Sequence, residues 1–391
     1  MAIVNYTNYP HIHSTTDFTK IEYTSKSGGY WTVRDWHDGN NYWYCTVFNG
    51  AGLDTVDFTQ LIPNDVINDP SIIIVLCTDH EAFTDIVKPI YSNLIQRLHI
   101  NPKRILLLSE NADIATIVKS VADLYKLETI NVEWSLVFEN GPKHLSNTEL
   151  SEIAKAKILE KKSYERAFVN FNRRWRIHRP CLVGLLYSMK LLDKGFVSLG
   201  RSDDDSHWSN IIDNILNLVK EDDDLYTLLY NNKNELINLP DLYLDIDELL
   251  SNPVFTHEKI KHTDTINLYE NSYFSIVTET NFFGHTGRFL TEKTFKPMLY
   301  KHPFILLCDP NSLTLLKQIG YKTFHPYIDE SYDNEVNDIK RLKMILGEVN
   351  RLCNLTESEL FKFIDNVQEI TIHNQTVLLN KPNFAHTYKI L

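Results

Sequence analysis

Two kinds of apolar pattern alternate along the chain. Short continuous runs (Ile72–Cys77, Ile105–Leu108, Ile130–Phe138, Ala167–Phe171, Phe196–Leu199, Ser272–Thr278 and Pro303–Cys308) read as strands buried on both faces. Between them lie segments whose apolar residues recur at helical spacing: 81–98, 112–127, 180–192, 208–220, 291–300 and 312–319. Strand and helix in regular succession predict a parallel sheet covered by helices, an α/β fold. Further helices are predicted over 334–352 and 357–379. The opening 70 residues set Tyr30, Trp31, Trp36, Tyr42, Trp43 and Tyr44 among turn residues, which predicts strands and loops with a half-buried aromatic face.

A chain of 391 residues exceeds what one small core organises, so two domains are expected. The segment 149–165 is charged, helix-forming and free of Gly and Pro, which suits a connector. The division is therefore an α/β domain over 1–150, a helical linker over 151–165, and a second α/β domain with C-terminal helices over 166–391. The acidic stretch 221–265 reads as a loop. Two such domains predict a cleft, with ligands at the carboxyl ends of the strands. Five cysteines, odd in number and widely spaced, suit reduced core thiols and a cytoplasmic location. No apolar run has the length of a membrane span, and the opening residues lack a signal-peptide pattern, so no membrane partner is expected.

Charge sharpens this picture. The net charge is −12, yet residues 151–202 carry 12 basic and 4 acidic residues, whereas 203–251 carry 2 and 13. Such a positive island suits a phosphate-bearing ligand or nucleic acid. Lys155, Lys157, Lys161 and Lys162 within it read as a solvated helix face.

The densest cationic motif, Asn170-Phe-Asn-Arg173-Arg174-Trp-Arg176-Ile-His178-Arg179-Pro180, follows a predicted strand and precedes a helix. Arginine forks pair with phosphate oxygens, and a helix N-terminus adds partial positive charge. A second cluster places Glu279 at a strand end, followed by Gly284-His285-Thr-Gly287-Arg288 and Thr291-Glu292-Lys293-Thr-Phe-Lys296-Pro297. Thr291 suits a helix cap, Glu292 suits ribose hydroxyls, and Lys293 or Lys296 suits phosphates. The glycines around His285 imply a close-approach loop, and neither a dinucleotide fingerprint nor a Walker motif occurs. Asp329, Glu330 and Asp333 suit either a cation or a cap for a helix beginning near Asn334. Asp79 and Glu81 follow a first-domain strand, where a carboxylate can deprotonate an acceptor hydroxyl. Asp35 and Asp38, read as lying in a loop of the aromatic opening, are rival bases. No His/Cys spacing suggests a metal, and none is expected.

Taken together, the turn at 172–179, the Thr-Glu-Lys-Thr-Phe-Lys-Pro helix start at 291–297, the Pro-Phe-Ile strand at 303–305 and the block at 320–333 resemble glycosyltransferase-like proteins of T-even-like bacteriophages. They also resemble the donor-binding half of fucosyltransferases and exostosin-like enzymes. The resemblance covers residues 165–345 and implies a GT-B fold, two Rossmann-like domains facing across a cleft. It implies a nucleotide diphosphate sugar as donor, UDP-linked and in some relatives UDP-arabinose, with no further cofactor. By this resemblance Arg173, Arg176 and Arg179 would bind the diphosphate, and Glu279, Glu292 and Lys293 the nucleoside and sugar; Arg174, His178, Thr291 and Lys296 complete the candidate donor-binding set. The phage context implies 5-hydroxymethylcytosine in double-stranded DNA as acceptor. A protein or glycan glycosyltransferase, and a non-catalytic nucleic-acid-binding protein, are the alternatives.

Overall fold

The computed structural model describes residues 2–5, 19–24, 30–37, 42–48, 62–78, 84–136, 138–139, 145–172, 176–200, 208–240, 242, 262–381 and 387–390. It is a mixed α/β protein with parallel sheets. The chain forms two compact units: 1–140 with 286–289 and 382–391, and 141–285 with 290–381.

After β1 (Ala2–Asn5), the first unit opens as an antiparallel meander of β2 (Thr19–Thr24), β3 (Tyr30–His37) and β4 (Tyr42–Phe48). Parallel strands β5 (Ile73–Cys77), β6 (Ile105–Ser109) and β7 (Asn131–Trp134) add to β4 one after another. Asp35 therefore lies on β3, in register with Thr19 and Cys45, and not in a loop. Between the strands run α1 (Asn64–Asn68), α2 (Val87–Pro89, continuing as a wider turn over Ile90–Arg97) and α3 (Ile114–Tyr125). Ile74, Leu76, Ile105 and Leu107 point to one face of the sheet by their two-residue spacing and pack with Trp43, Tyr91, Leu94, Val118 and Ala122. Val75, Cys77, Leu106 and Leu108, on the opposite face, are buried as well, which is why these strands read as continuous apolar runs.

Past the end of β6 the unit is completed by its own later segment. Asn111 donates to the Thr286 carbonyl at 2.8 Å, and the Ala112 amide donates to the Arg288 carbonyl at 2.9 Å. The Arg288 guanidinium pairs with both oxygens of Asp113. Burial opposes ionisation of Asp113, but that guanidinium and the Arg288 amide hold it below the usual carboxylate range. Gly287 has φ +106°, and a Cβ there would overlap the Asn111 side-chain amide, so the expected close approach is made at this glycine.

The second unit begins with α4 (Asn147–Lys155), closed at its start by a capping box of Ser146 and Glu149. The helix predicted to run to 165 stops ten residues earlier. Strand β8 (Phe168–Asn170) leads through α5 (His178–Ser188) to β9 (Gly195–Val197). Helices α6 (Trp208–Val219), α7 (Asp223–Asn231), α8 (Lys233–Ile237) and α9 (His262–Glu270) precede β10 (Phe274–Thr278). Part of the acidic stretch read as a loop is thus helical: Leu225, Leu229 and Leu236 are buried from α7 and α8, and Asp222 caps α7. Then come α10 (Glu292–Leu299), β11 (Phe304–Leu307), α11 (Ser312–Gln318), α12 (Asp338–Cys353) and α13 (Glu357–Asn380). Last in the chain, β12 (Thr387–Ile390) pairs antiparallel with β1.

The four strands of the second unit are all parallel, in the order β11-β10-β8-β9. Of the carboxylates near Asp329, Asp333 caps a helix, but an earlier one than the helix expected to begin near Asn334. Asp333 accepts from the Leu313 and Thr314 amides at the start of α11, and Glu330 accepts from the Thr323 hydroxyl and the Phe324 amide. Cys77, Cys181, Cys308 and Cys353 are buried thiols, and burial pushes Cys181 up to about 12. Among the described residues no helix is long and apolar enough to cross a membrane.

Candidate functional site

In the second unit the sheet grows from β8 to β9 on one side, then returns past β8 to place β10 and β11 on the other. The connections after β8 and β10 therefore leave in opposite directions at their carboxyl ends, the position where open α/β sheets form a ligand crevice. The strands also part there. Main-chain pairing of β8 with β10 covers only Phe168 with Phe274 and Val169 with Ser275. Beyond it, side chains take over. Asn170 donates to the Ile276 carbonyl at 2.7 Å, Asn172 donates to Asn170 Oδ1 and to the Ser198 carbonyl, and the Thr278 hydroxyl donates to Asn172 Oδ1 at 2.6 Å. All are buried; the Asn170–Ile276 and Thr278–Asn172 bonds bridge the β8 and β10 segments beyond their main-chain pairing, and the Asn172–Ser198 bond ties the floor to the β9 side.

Two loops meet over this polar floor. From the β8 side come Phe171 and Asn172, then, past 173–175, Arg176 and the first turn of α5. Arg176 is exposed. His178 is buried, with Nε2 2.8 Å from the Glu279 carbonyl, so Nε2 carries the proton in that bond. Burial and then the nearby positive charges of Arg179, Arg176 and Lys293 drive its pKa down to about 3. Cations from both loops thus press on one imidazole. Arg179 is buried, and its Nη2 lies 3.3 and 3.4 Å from the carbonyls of Thr278 and Glu279.

From the β10 side, Glu279 is fully buried. Its carboxylate accepts from the Thr291 amide at 2.8 Å, the Thr291 hydroxyl at 2.6 Å and the Thr294 hydroxyl at 2.5 Å. Thr291 is the cap of α10, as expected, and its hydroxyl accepts from the Lys293 amide and from Lys293 Nζ at 2.9 Å. Lys293 Nζ also bonds Glu292, whose carboxylate is half-exposed. Lys296 sits 5.0 Å from the centre of the Phe171 ring, a cation–π contact that ties the two loops together.

The structure therefore brings Arg176, His178, Arg179, Glu279, Thr291, Glu292, Lys293 and Lys296 into one neighbourhood of the second unit. Arg173, Arg174, Asp79, Glu81 and Asp38 lie outside the described residues. Asp35 is on β3 of the first unit. Within the basic island, Lys161 is bonded to Asn271, and Lys194 to Asn354 and the Cys353 carbonyl, so these charges serve the fold.

Sequence reasoning missed the polar floor and Arg341. That arginine is buried from α12, donates to the Phe282 carbonyl at 2.6 Å and to Asp338, and lies 4.6 Å from the Phe282 ring centre. It anchors the loop after β10, beside the His178 ring. The only signal for the floor was a polar residue ending each apolar run. Nothing distinguished Arg341 from the solvated cations of its helix.

No protein-family model matches the chain, and no curated protein matches it.

Proposed function

We propose that the second unit binds the nucleoside diphosphate of a sugar donor in the crevice beyond β8 and β10, and that the chain is a glycosyltransferase of the GT-B kind. The observation that carries this reading is the reversal of strand order at the point where two cation-bearing loops meet. A diphosphate leaving group gains negative charge as its bond to the sugar breaks. Arg176 and Lys293, with the N-termini of α5 and α10, offer fixed donors where that charge develops. His178 remains neutral and cannot add a charge of its own. The acceptor is a hydroxyl, its proton taken by a carboxylate of the first unit, Asp79 in preference to Glu81 or Asp35. Hydroxymethylcytosine in DNA is the acceptor proposed, and a UDP-linked sugar, UDP-arabinose among them, the donor.

Calorimetry with UDP and other nucleoside diphosphates tests the first half. Failure of all of them to bind at millimolar concentration excludes the donor site. Mass spectrometry of nucleosides from hydroxymethylcytosine DNA, incubated with the protein and a panel of nucleotide sugars, tests the second. A sugar-sized mass increase on that nucleoside is the expected result, and its absence with every donor excludes the acceptor.

A further inference from the structure

Glu279 joins both loops of the crevice. Its main-chain carbonyl meets His178 and Arg179 from the β8 side, and its carboxylate meets Thr291 and Thr294 from the β10 side. Yet no part of it is accessible. We infer that Glu279 is a positioning residue that acts on a bound diphosphate through Thr291 and Lys293 without touching it; the inference rests on the nucleotide reading of this crevice.

The hydrogen bonds run in one direction. Three donors converge on the carboxylate: the Thr291 amide, the Thr291 hydroxyl and the Thr294 hydroxyl. A hydroxyl has one proton and two lone pairs. Because Thr291 spends its proton on Glu279, both lone pairs face the amide and the ammonium of Lys293. The carboxylate thereby fixes the rotor of Thr291, and Thr291, with Glu292 beside it, holds the end of Lys293. The Lys293 side chain keeps a quarter of its surface open to solvent.

Glu279→Gln breaks this polarity while keeping the shape. The amide oxygen can still accept from the Thr291 amide and the Thr294 hydroxyl, but the amide nitrogen now offers a proton to the Thr291 oxygen. Three donors then compete for two lone pairs, and the Lys293 ammonium, on the longest and most exposed arm of the three, is displaced.

The test combines UDP calorimetry with trace acetylation of the ligand-free protein by acetic anhydride, read at each lysine by mass spectrometry. Lys293→Met is expected to weaken UDP binding roughly tenfold or more, the scale of a hydrogen bond to a charged group. Glu279→Gln is expected to weaken it roughly fivefold, and the double variant to bind no more weakly than Lys293→Met alone. Thr291→Val should reproduce the Glu279→Gln effect and Thr291→Ser should restore binding, a pair that also serves if Glu279→Gln does not fold. Without ligand, Lys293 should acetylate several-fold faster in Glu279→Gln and Thr291→Val, while exposed Lys340 stays unchanged. Effects of Glu279→Gln and Lys293→Met that multiply, or Lys293 reactivity unaltered in both variants, overturn the inference. A wild-type protein that binds no nucleoside diphosphate, with Lys293 reactivity still rising in the variants, removes the nucleotide reading and leaves the Glu279–Thr291–Lys293 relay standing.

Discussion

The six-stranded sheet of the first unit and the four-stranded sheet of the second share an alternation of strand and helix but grow differently. In the first unit β4, β5, β6 and β7 are laid down side by side in chain order, and nothing in that parallel run reverses. Past the end of β6, Asn111, Ala112 and Asp113 are bonded to the unit's own residues 286–288. In the second unit the order reverses across β8, the strands diverge, and a floor of Asn170, Asn172 and Thr278 lies beneath exposed Arg176 and half-buried Lys293. Local pattern makes a strand end; the order in which strands are joined decides whether that end becomes a crevice.

On the proposed function the two units do different work, and substitutions can break the contrast. The largest effect is expected for Asp79→Asn, which removes a base and leaves the cationic crevice intact: turnover should fall roughly 10² to 10⁴-fold with UDP affinity unchanged. A fall of less than about tenfold would move the base to Glu81 or Asp35. Next comes an acid sensitivity of the second unit. Burial lowers His178 to about 3 and His302 to about 4, so both stay neutral in the fold and gain a proton on unfolding. Their stabilisation is complete above the ordinary histidine value of about 6.5 and is lost as pH falls toward their folded values. Going from pH 7 to 5 should cost roughly 2 kcal/mol for each, or roughly 4 together. Hydrogen exchange under mild urea at the two pH values would show it as faster opening of β8, β10 and β11. Equal protection at both would contradict the neutral, buried histidines.

Smaller effects separate the two arginines of the α5 corner. Arg176→Ala should weaken UDP binding by about 1.5 to 3 kcal/mol without altering the unfolding midpoint, because its side chain is exposed. Arg179→Ala should lower the midpoint too, since its guanidinium meets strand-end carbonyls inside the fold. Equal behaviour of the pair in both assays would show that burial does not sort them. The smallest change is expected in the first unit, where Arg288→Ala should destabilise by about 1 to 2 kcal/mol and leave UDP affinity untouched. A loss of UDP affinity there would end the division of labour.

Much of the fold was legible because both faces of the central strands are buried. Ile73–Cys77, Ile105–Ser109 and Phe304–Leu307 fall within or beside short apolar runs whose length favours a strand. Helix α10 was legible from Thr291, whose capping role is local. Three things were not. Strand order depends on long crossovers that leave no local mark. Helices α7 and α8 bury only Leu225, Leu229 and Leu236 within an acidic stretch, too few to outweigh its loop-like composition. Arg179, Arg341 and Glu279 count as surface residues in any composition, yet each is buried because a tertiary partner distant in sequence receives it.

The junction at Gly287 has a consequence in time. Asn111 and Asp113 leave the ribosome early, but their partners Thr286 and Arg288 follow 175 residues later. At about 5 to 20 residues per second, that interval lasts roughly 10 to 35 s. Throughout it, the leading segment of the first unit waits with Asn111 and Asp113 deprived of these partners while much of the second unit is synthesised. The usual rule that domains mature in the order of their synthesis is delayed here, and a nascent chain stalled before residue 286 should remain protease-sensitive near α3 until residues 286–289 arrive.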